Sequence, residues 1–163
     1  MKSQTSPPDT NRGDIAVPPL PFVSVVLKDG KPVAEPYTVM INRVMQEIIW
    51  QIDAPNIGWD NSNTPPPDGP GGPNKAVQID MNNVPPWTGG TPQPIGQPPQ
   101  PGELDTRKYR VNGPGPNMGN KTVIYGYLMW VVDDAGNRMR VQIIDDSRSQ
   151  IPVDPDIGNQ PQP

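Results

Sequence analysis

Carboxylates are the acid–base groups that this sequence offers, because the chain contains neither cysteine nor histidine. Paired carboxylates serve as general acid and base or bind Ca²⁺. Neighbouring side chains on a strand point to opposite faces, however, so two adjacent carboxylates are poorly placed to act on one substrate. We therefore interpret the paired acidic residues as solvated turn residues and predict no catalytic residue among them. They are Asp133-Asp134, Asp145-Asp146, and Asp154 and Asp156 around a proline.

The lack of cysteine and histidine also limits metal and nucleophile chemistry. The sequence cannot supply a thiolate nucleophile, an imidazole base, a Cys- or His-based zinc site or a blue-copper site. A disulfide framework is impossible for the same reason. We therefore predict a protein with no cofactor and no metal that is not an enzyme, and a hydrolase that uses carboxylates alone is the weakest alternative.

Four tryptophans are the remaining side chains that could recognise a ligand. Trp50 and Trp130 stand within strand patterns, so we predict that they pack in the core. Trp59 and Trp87 stand in proline-rich segments, where aromatic side chains are enriched at binding hot spots. They are the possible interaction residues, for a sugar, another small ligand or a protein partner. The alternative is that both rings anchor the segments that carry them.

The overall composition restricts the partners that we expect. The chain has 163 residues, of which 26 are Pro and 16 are Gly, and its formal net charge is −4. The 13 basic residues are scattered, so no surface for nucleic-acid phosphates is predicted. No stretch approaches the roughly 18 apolar residues of a membrane helix. The polar N-terminus has no apolar signal region, so we expect a protein that is cytoplasmic as synthesised.

Residues 122–132 form the longest apolar run, and the rest of the fold must be arranged around it. The run is rich in β-branched and aromatic residues at both parities, which predicts a central strand buried on both faces. The acidic and glycine-containing residues 133–137 predict a turn. Residues 138–145 then alternate, which indicates a hairpin with a half-exposed partner strand.

Strands are also predicted before and after a long proline- and glycine-rich region. Residues 22–27, 37–42 and 47–53 alternate, and Asp29-Gly30 is a strong signal for a two-residue hairpin turn. In the irregular insertion of residues 54–102, only residues 75–81 resemble a strand. We expect ordered excursions pinned by the two tryptophans, and the alternative is free linkers that lack the apolar mass to offset their ordering entropy. Residues 106–112 predict one more short strand. These patterns predict three regions: an extended Pro-rich arm at 1–21, a β-sandwich domain at 22–146 and an extended C-terminal tail at 147–163. The predicted fold class is all-β, with a single antiparallel Greek-key sandwich.

The order of these strands resembles a cupredoxin-like sandwich. The resemblance rests on the opening strands up to residues 47–53 with Trp50, on the closing hairpin of residues 125–144, and on the sequence Asp-Pro-Asp-Ile-Gly-Asn at 154–159. That ending is similar to the one in bacterial cupredoxin-like proteins that lack copper. The residues Tyr125-Gly126-Tyr127 and Trp130 with the later Asp-Pro element also resemble the PixA/AidA inclusion-body proteins. The resemblance implies a fold without copper chemistry.

Two functions remain open. The first is a non-enzymatic structural or assembly protein whose proline-rich arms dock on neighbouring subunits, because extended proline-rich segments lose little entropy when they add to a partner's surface. The second is a soluble module that binds a ligand or glycan through Trp59 and Trp87. Proline-rich runs with a flanking tryptophan could equally be ligands for a partner that recognises polyproline II.

Overall fold

A computed structural model describes residues 21–42, 46–65, 72, 75–80, 85–142 and 155–161. Over these ranges the chain is all-β, with eleven strands and no helix, and hence no helix able to cross a membrane. The strands are β1 Phe22–Lys28, β2 Lys31–Glu35, β3 Thr38–Ile41, β4 Glu47–Ile52, β5 Ile57–Trp59, β6 Val77–Ile79, β7 Gln93–Pro94, β8 Tyr109–Asn112, β9 Val123–Asp133, β10 Arg138–Arg140 and β11 Asp156–Asn159.

The first sheet has the strand order β2-β1-β4-β8-β7. Its opening hairpin turns at Asp29 and Gly30, whose φ angles are +52° and +77°. Positive φ at both central residues is the geometry of the tight turn that matches strand twist, and Asp-Gly tolerates it. The predicted turn is therefore confirmed. β1 then lies parallel to β4, and β4 lies antiparallel to β8.

The second sheet is built on β9, which pairs with strands on both of its edges. β11 and β10 lie end to end along one edge, while β6 and β5 lie end to end along the other. β3 extends this sheet beyond β11, to which it is parallel. The apolar run of residues 122–132 is thus the central strand, as its composition predicts, and the turn after it is confirmed. The return strand predicted over 138–145 is confirmed for Arg138–Arg140, and residues 143–145 lie outside the described residues.

Only one face of β9 is buried along its middle, from Tyr125 to Val131, which corrects the prediction that both faces are buried. Tyr125, Tyr127, Met129 and Val131 lie in the core. On the other face Trp130 is buried, but Ile124 is 47% exposed. The rest of the chain covers the outer face of the second sheet only in part. Apolar residues at both odd and even positions of a strand therefore do not ensure that both of its faces are buried.

One core joins the two sheets. Trp50 of β4 meets Tyr127 of β9 with ring centroids 5.4 Å apart, and both sheets contribute to the same buried cluster. The chain also passes from one sheet to the other after β10. There Val141 donates its backbone N–H to Met129 of the second sheet at 2.9 Å, and Gln142 donates to Pro32 of the first at 3.1 Å. This crossing covers part of the β2 edge, and Val141 is fully buried.

Three further expectations are corrected. The parallel pairs β1–β4 and β3–β11 make both sheets mixed rather than antiparallel, since alternation predicts a strand but not its neighbour. The insertion at 54–102 contributes three strands, not one, because β5 and β7 also join sheets. Residues 156–159 are not part of an extended tail: β11 lies between β3 and β9, with Ile157 fully buried. The arm at 1–20, the second carboxylate pair and Asp154 lie outside the described residues.

Candidate functional site

A cleft of about 520 Å³ lies where the loop before β8 crosses the end of β5. Apolar side chains form much of its wall together with Pro98, Pro99 and Gly136, and charged residues lie between them. The lining residues that matter below are Trp59, Asp60, Asn61, Asp105, Arg107 and Arg138. They come from three separate segments, residues 59–61, 105–107 and 138, so the tertiary fold alone brings them together.

Close backbone packing holds the two main segments of this cleft side by side. Trp59 donates its backbone N–H to the Asp105 carbonyl at 2.8 Å. A Cβ atom on the preceding Gly58 would lie 2.8 Å from the Asp105 backbone nitrogen. Glycine is therefore required for the β5 backbone to approach the loop this closely.

Asp105 and Arg107 form a two-pronged ion pair in the wall of the cleft. The Arg107 guanidinium donates from Nε to Oδ1 at 2.9 Å and from Nη2 to Oδ2 at 2.8 Å. Both side chains are largely buried, with exposed fractions of 17% for Arg107 and 7% for Asp105. The hydrogen bonds with Asp105 raise the pKa of Arg107 above its usual value. This geometry is the strongest that an Arg–carboxylate pair adopts.

Asn61 links this ion pair to the core. Its Nδ2 donates to Asp105 Oδ2 at 2.6 Å, and its Oδ1 accepts from the Tyr109 hydroxyl at 2.7 Å. Burial raises the pKa of Tyr109 to about 12, so the phenol stays protonated as a donor. Trp59 packs edge to face on the same Tyr109 ring at 5.1 Å, and its indole Nε1 donates to the Arg107 carbonyl at 2.6 Å.

A second ion pair closes the other side of the cleft. Arg138 Nε donates to Asp60 Oδ2 at 2.6 Å, and Asp60 is 3% exposed. The same guanidinium donates from Nη2 to the Thr64 carbonyl at 2.6 Å. Asp60 Oδ1 accepts from the Ser62 hydroxyl at 2.9 Å. Arg138 therefore ties the segment after β5 to β10.

The polar groups of the cleft satisfy one another, which favours a structural role for them. Each carboxylate oxygen of Asp60 and Asp105 accepts at least one hydrogen bond. Ser62 donates to a carboxylate, but the chain has no histidine to relay a proton from it. Over the residues that the structure describes, no group of three or more His, Cys, Asp or Glu could hold a metal ion.

The structure places the two predicted interaction tryptophans in the core. Trp59 is 2% and Trp87 is 4% exposed. Trp87 packs edge to face on Tyr125 at 5.0 Å, and its Nε1 donates to the Gly90 carbonyl at 3.0 Å. Both rings thus anchor the segments that carry them, as the alternative interpretation predicts. Neither ring offers a broad exposed face to a ligand. Because Trp59 also lines the cleft, ligand binding by Trp59 stays a prediction.

The described carboxylates of the adjacent pairs do not form a shared site. Asp133 accepts the backbone N–H groups of Ala135 at 3.0 Å and Asn137 at 2.8 Å, which closes the hairpin turn. Hydrogen bonds from Asn137 lower the pKa of Asp133 below its usual value. Asp134 is exposed at the same turn. Asp156 lies in β11 beside Gly126, away from this turn. The assignment as turn residues is right for the first pair and wrong for Asp156, because β3 and β9 pair with its segment and make it a strand.

A second surface feature lies at the far end of the second sheet. β3 is the last strand of that sheet and pairs with β11 on one edge, while no described strand pairs with its other edge. Tyr37, just before β3, is 54% exposed and Met40 within it is 41% exposed. We call the unpaired side of Thr38–Ile41 the β3 edge.

Sequence reasoning missed the cleft residues Asp60, Asn61, Asp105, Arg107 and Arg138. In the sequence, a charged residue that forms a buried ion pair looks the same as one that faces solvent. In addition, the partners are distant, since Asn61 and Asp105 are 44 positions apart. The short strand predicted at residues 106–112 includes Arg107, but the sequence does not indicate which residues this side chain contacts.

No protein-family model, no curated protein and no solved structure matches this chain.

Proposed function

We propose that this protein is a non-enzymatic structural or assembly protein, whose two-sheet body and proline-rich N-terminal arm pack on neighbouring subunits. The β3 edge carries this proposal. It combines backbone groups that no described strand pairs with exposed apolar side chains, Tyr37 and Met40. Such an edge is what an extended segment of another chain recognises.

The state of the polar clusters supports the absence of catalysis. In the described part of the chain, each carboxylate oxygen of the two buried ion pairs is already held by an arginine, asparagine or serine side chain, and Arg138 also donates to the Thr64 carbonyl. A catalytic carboxylate needs a free position toward substrate. The ion pairs in the wall of the cleft therefore have a structural role: they hold β5, the loop before β8 and β10 together.

Of the two terminal arms that the sequence predicts, only the N-terminal arm is part of this proposal. The C-terminal residues 156–159 form β11, which is inserted between β3 and β9. They hold the sheet together and are not available as a second arm. The fold that we propose is a copper-free, cupredoxin-like sandwich, supported by the closing hairpin of β9 and β10 and by two sheets that share one core.

Light scattering of the purified protein tests this proposal. We expect full-length protein to form assemblies much larger than its 17.8 kDa monomer. Removal of residues 1–20 should abolish them and shift the melting temperature by no more than a few degrees. As a matched control, removal of residues 156–163 should unfold the protein, because it deletes β11. A full-length protein that is monomeric at high concentration would contradict the proposal.

The cleft of about 520 Å³ favours one second candidate, a soluble module for a small ligand or glycan. This volume lies in the range of small-molecule sites, and Trp59 lies in its wall. Titration with oligosaccharides, followed by tryptophan fluorescence, tests this candidate. A saturable response from a monomeric protein, lost in Arg107→Ala but kept in Arg110→Ala, would favour the module over the assembly protein.

A further inference from the structure

We propose that the β3 edge accepts residues 14–17 of a second copy of this chain as an added strand. The inference rests on the proposed assembly function and specifies the contact that would make it. It combines the backbone geometry of β3, the side chains beside it and the composition of the arm.

The backbone of β3 directs alternate residues to opposite edges. Tyr37 and Ile41 accept hydrogen bonds through their carbonyls from Asp156 and Gln160, both at 2.9 Å, and so face β11. In a strand, the N–H and C=O groups of one residue point to the same side and those of the next residue to the other. Thr38 and Met40 therefore direct their N–H and C=O groups to the β3 edge. A partner with an extended backbone satisfies all four groups, whereas a helix does not.

The side chains beside the edge provide an apolar surface for such a strand. Met40, Gly158 and Ile124 occupy one row across β3, β11 and β9. The Met40 sulfur lies 2.6 Å from the position that a Cβ on Gly158 would take, so the Met40 side chain covers the glycine. An added strand continues this row on the other side of Met40, where it would shield a side chain that is 41% exposed.

The N-terminal arm contains a segment suited to this position. Residues 15–17 are Ile-Ala-Val, which is the only run of three apolar residues before Pro21 without a proline. Pro18 restricts Val17 to extended conformations. The prolines at 18 and 19 cannot donate to a ladder, so they end the pairing after Val17. The segment thus matches a short strand of the length of β3.

The connection to the body limits how far the arm can reach within its own copy. Pro21 lies on the first sheet, where its carbonyl accepts from the Ile49 N–H at 3.0 Å. Val17 can be at most about 14 Å from Pro21, because an extended residue spans roughly 3.3–3.6 Å. β3 belongs to the second sheet. A short connection that cannot span the two sheets invites exchange of the strand between copies, and we propose that arrangement here.

A proline substitution tests the edge. Met40→Pro removes one N–H donor from the β3 edge and leaves the bonds to β11 in place, whereas Met40→Ala removes the same side chain and keeps the donor. We expect Met40→Pro to lower the assembled fraction at least tenfold relative to Met40→Ala, with melting temperatures within a few degrees of each other. Equal assembly by the two variants would overturn the inference while leaving the assembly function intact if removal of residues 1–20 still abolishes it.

Cysteine cross-linking identifies the occupant, because the natural chain has no cysteine. Ala16→Cys and Met40→Cys are introduced into separate chains of different mass, which are mixed and oxidised. Disulfides form only when Cα atoms come within roughly 7 Å. We expect the mixed dimer in large excess, and a control with Ala135→Cys in place of Met40→Cys should give little.

Three results would overturn this assignment. A disulfide between two Met40→Cys chains would show that the β3 edges pair with each other. Intramolecular closure in a chain with both cysteines, without mixed dimers, would place the arm on its own copy. A monomeric wild-type protein would remove the proposed function as well as this inference.

Discussion

The indole ring of Trp50 meets the phenol ring of Tyr127 edge to face, with centroids 5.4 Å apart and an interplanar angle of 66°. The contact joins β4 of the first sheet to β9 of the second, at the centre of the core. Within the described part of the chain, neither the Trp50 Nε1 nor the Tyr127 hydroxyl makes a hydrogen bond of regular geometry, and the strongest polar neighbour of each is the other. The pair thus contributes packing, but each polar atom is buried at a cost.

Two buried tyrosines should respond oppositely to loss of the hydroxyl. Tyr127→Phe removes a buried hydroxyl that makes no hydrogen bond of regular geometry within the described residues, so we expect stability unchanged or raised by about 1 kcal/mol. Tyr109→Phe removes the 2.7 Å hydrogen bond to Asn61 and should lower stability by about 1 kcal/mol or more. Urea unfolding of both variants measures the difference. A larger loss for Tyr127→Phe than for Tyr109→Phe would show that Tyr127 has a partner after all.

Stability should fall at alkaline pH because of these phenols. Burial raises the pKa of Tyr109 to about 12 and that of Tyr127 further still, compared with roughly 10 in an unfolded chain. The folded state therefore holds these protons more tightly, so their contribution is fully present below pH 10 and is lost as the pH rises toward 12. Each phenol lowers the free energy of unfolding by at most about 1.4 kcal/mol for each unit of pH increase. Melting at pH 9, 10 and 11 should show the decline, which should be less steep in Tyr109→Phe.

The ion pair of Asp105 should matter far more than an exposed one. Asp105→Asn leaves the Arg107 charge without a carboxylate, and we expect a loss of about 3 kcal/mol. Glu35→Gln is the matched control, because the Lys28–Glu35 pair at 3.1 Å is about half exposed and should contribute roughly 0.5 kcal/mol or less. Equal effects in urea unfolding would mean that the Asp105 network does not brace the fold.

Two glycines in strands should differ sharply when replaced by alanine. A Cβ on Gly58 would press on the Asp105 backbone, whereas a Cβ on Gly126 of β9 would meet no heavy atom within 4 Å. We expect Gly58→Ala to cost about 1–3 kcal/mol or more and Gly126→Ala to be nearly neutral. Thermal melting of the two variants compares them. A stable Gly58→Ala protein would mean that the loop before β8 moves away from β5 easily.

The outer face of β9 allows a test of where core packing ends. Trp130 is 2% exposed and Ile124 is 47% exposed on the same face of the strand. Trp130→Ala should cost about 3–5 kcal/mol, and Ile124→Ala less than about 1 kcal/mol. If denaturant midpoints shift equally, this face is more evenly covered than the described residues show.

Metal binding should not occur at a stoichiometric level. Methionine and carboxylate side chains alone make a poor Cu(II) site, and the chain has no His or Cys. Dialysis against Cu²⁺ or Zn²⁺ followed by metal analysis should find well below one ion per chain, with no blue-copper absorption band. A tight one-to-one complex would contradict this prediction.

The sequence alone determined the features that depend on neighbouring residues. The Asp29-Gly30 turn follows from the positive φ angles that these residue types tolerate. The central position of β9 follows from its unbroken apolar run, which must be removed from water wherever the chain places it. The core positions of Trp50 and Trp130 follow from the same patterns. Each of these required only local chemistry.

Only the tertiary structure decided which distant segments meet. The pattern that predicts a strand at residues 156–159 or 57–59 is too short to stand out, and β11 and β5 gain their stability from β9 rather than from their own propensity. Likewise, Asp60 finds Arg138 across 78 positions. A buried charge is stabilised by whichever partner the fold supplies. Long-range pairing is a property of the whole packed chain, so neither the cleft nor the β3 edge is visible in any single stretch of sequence.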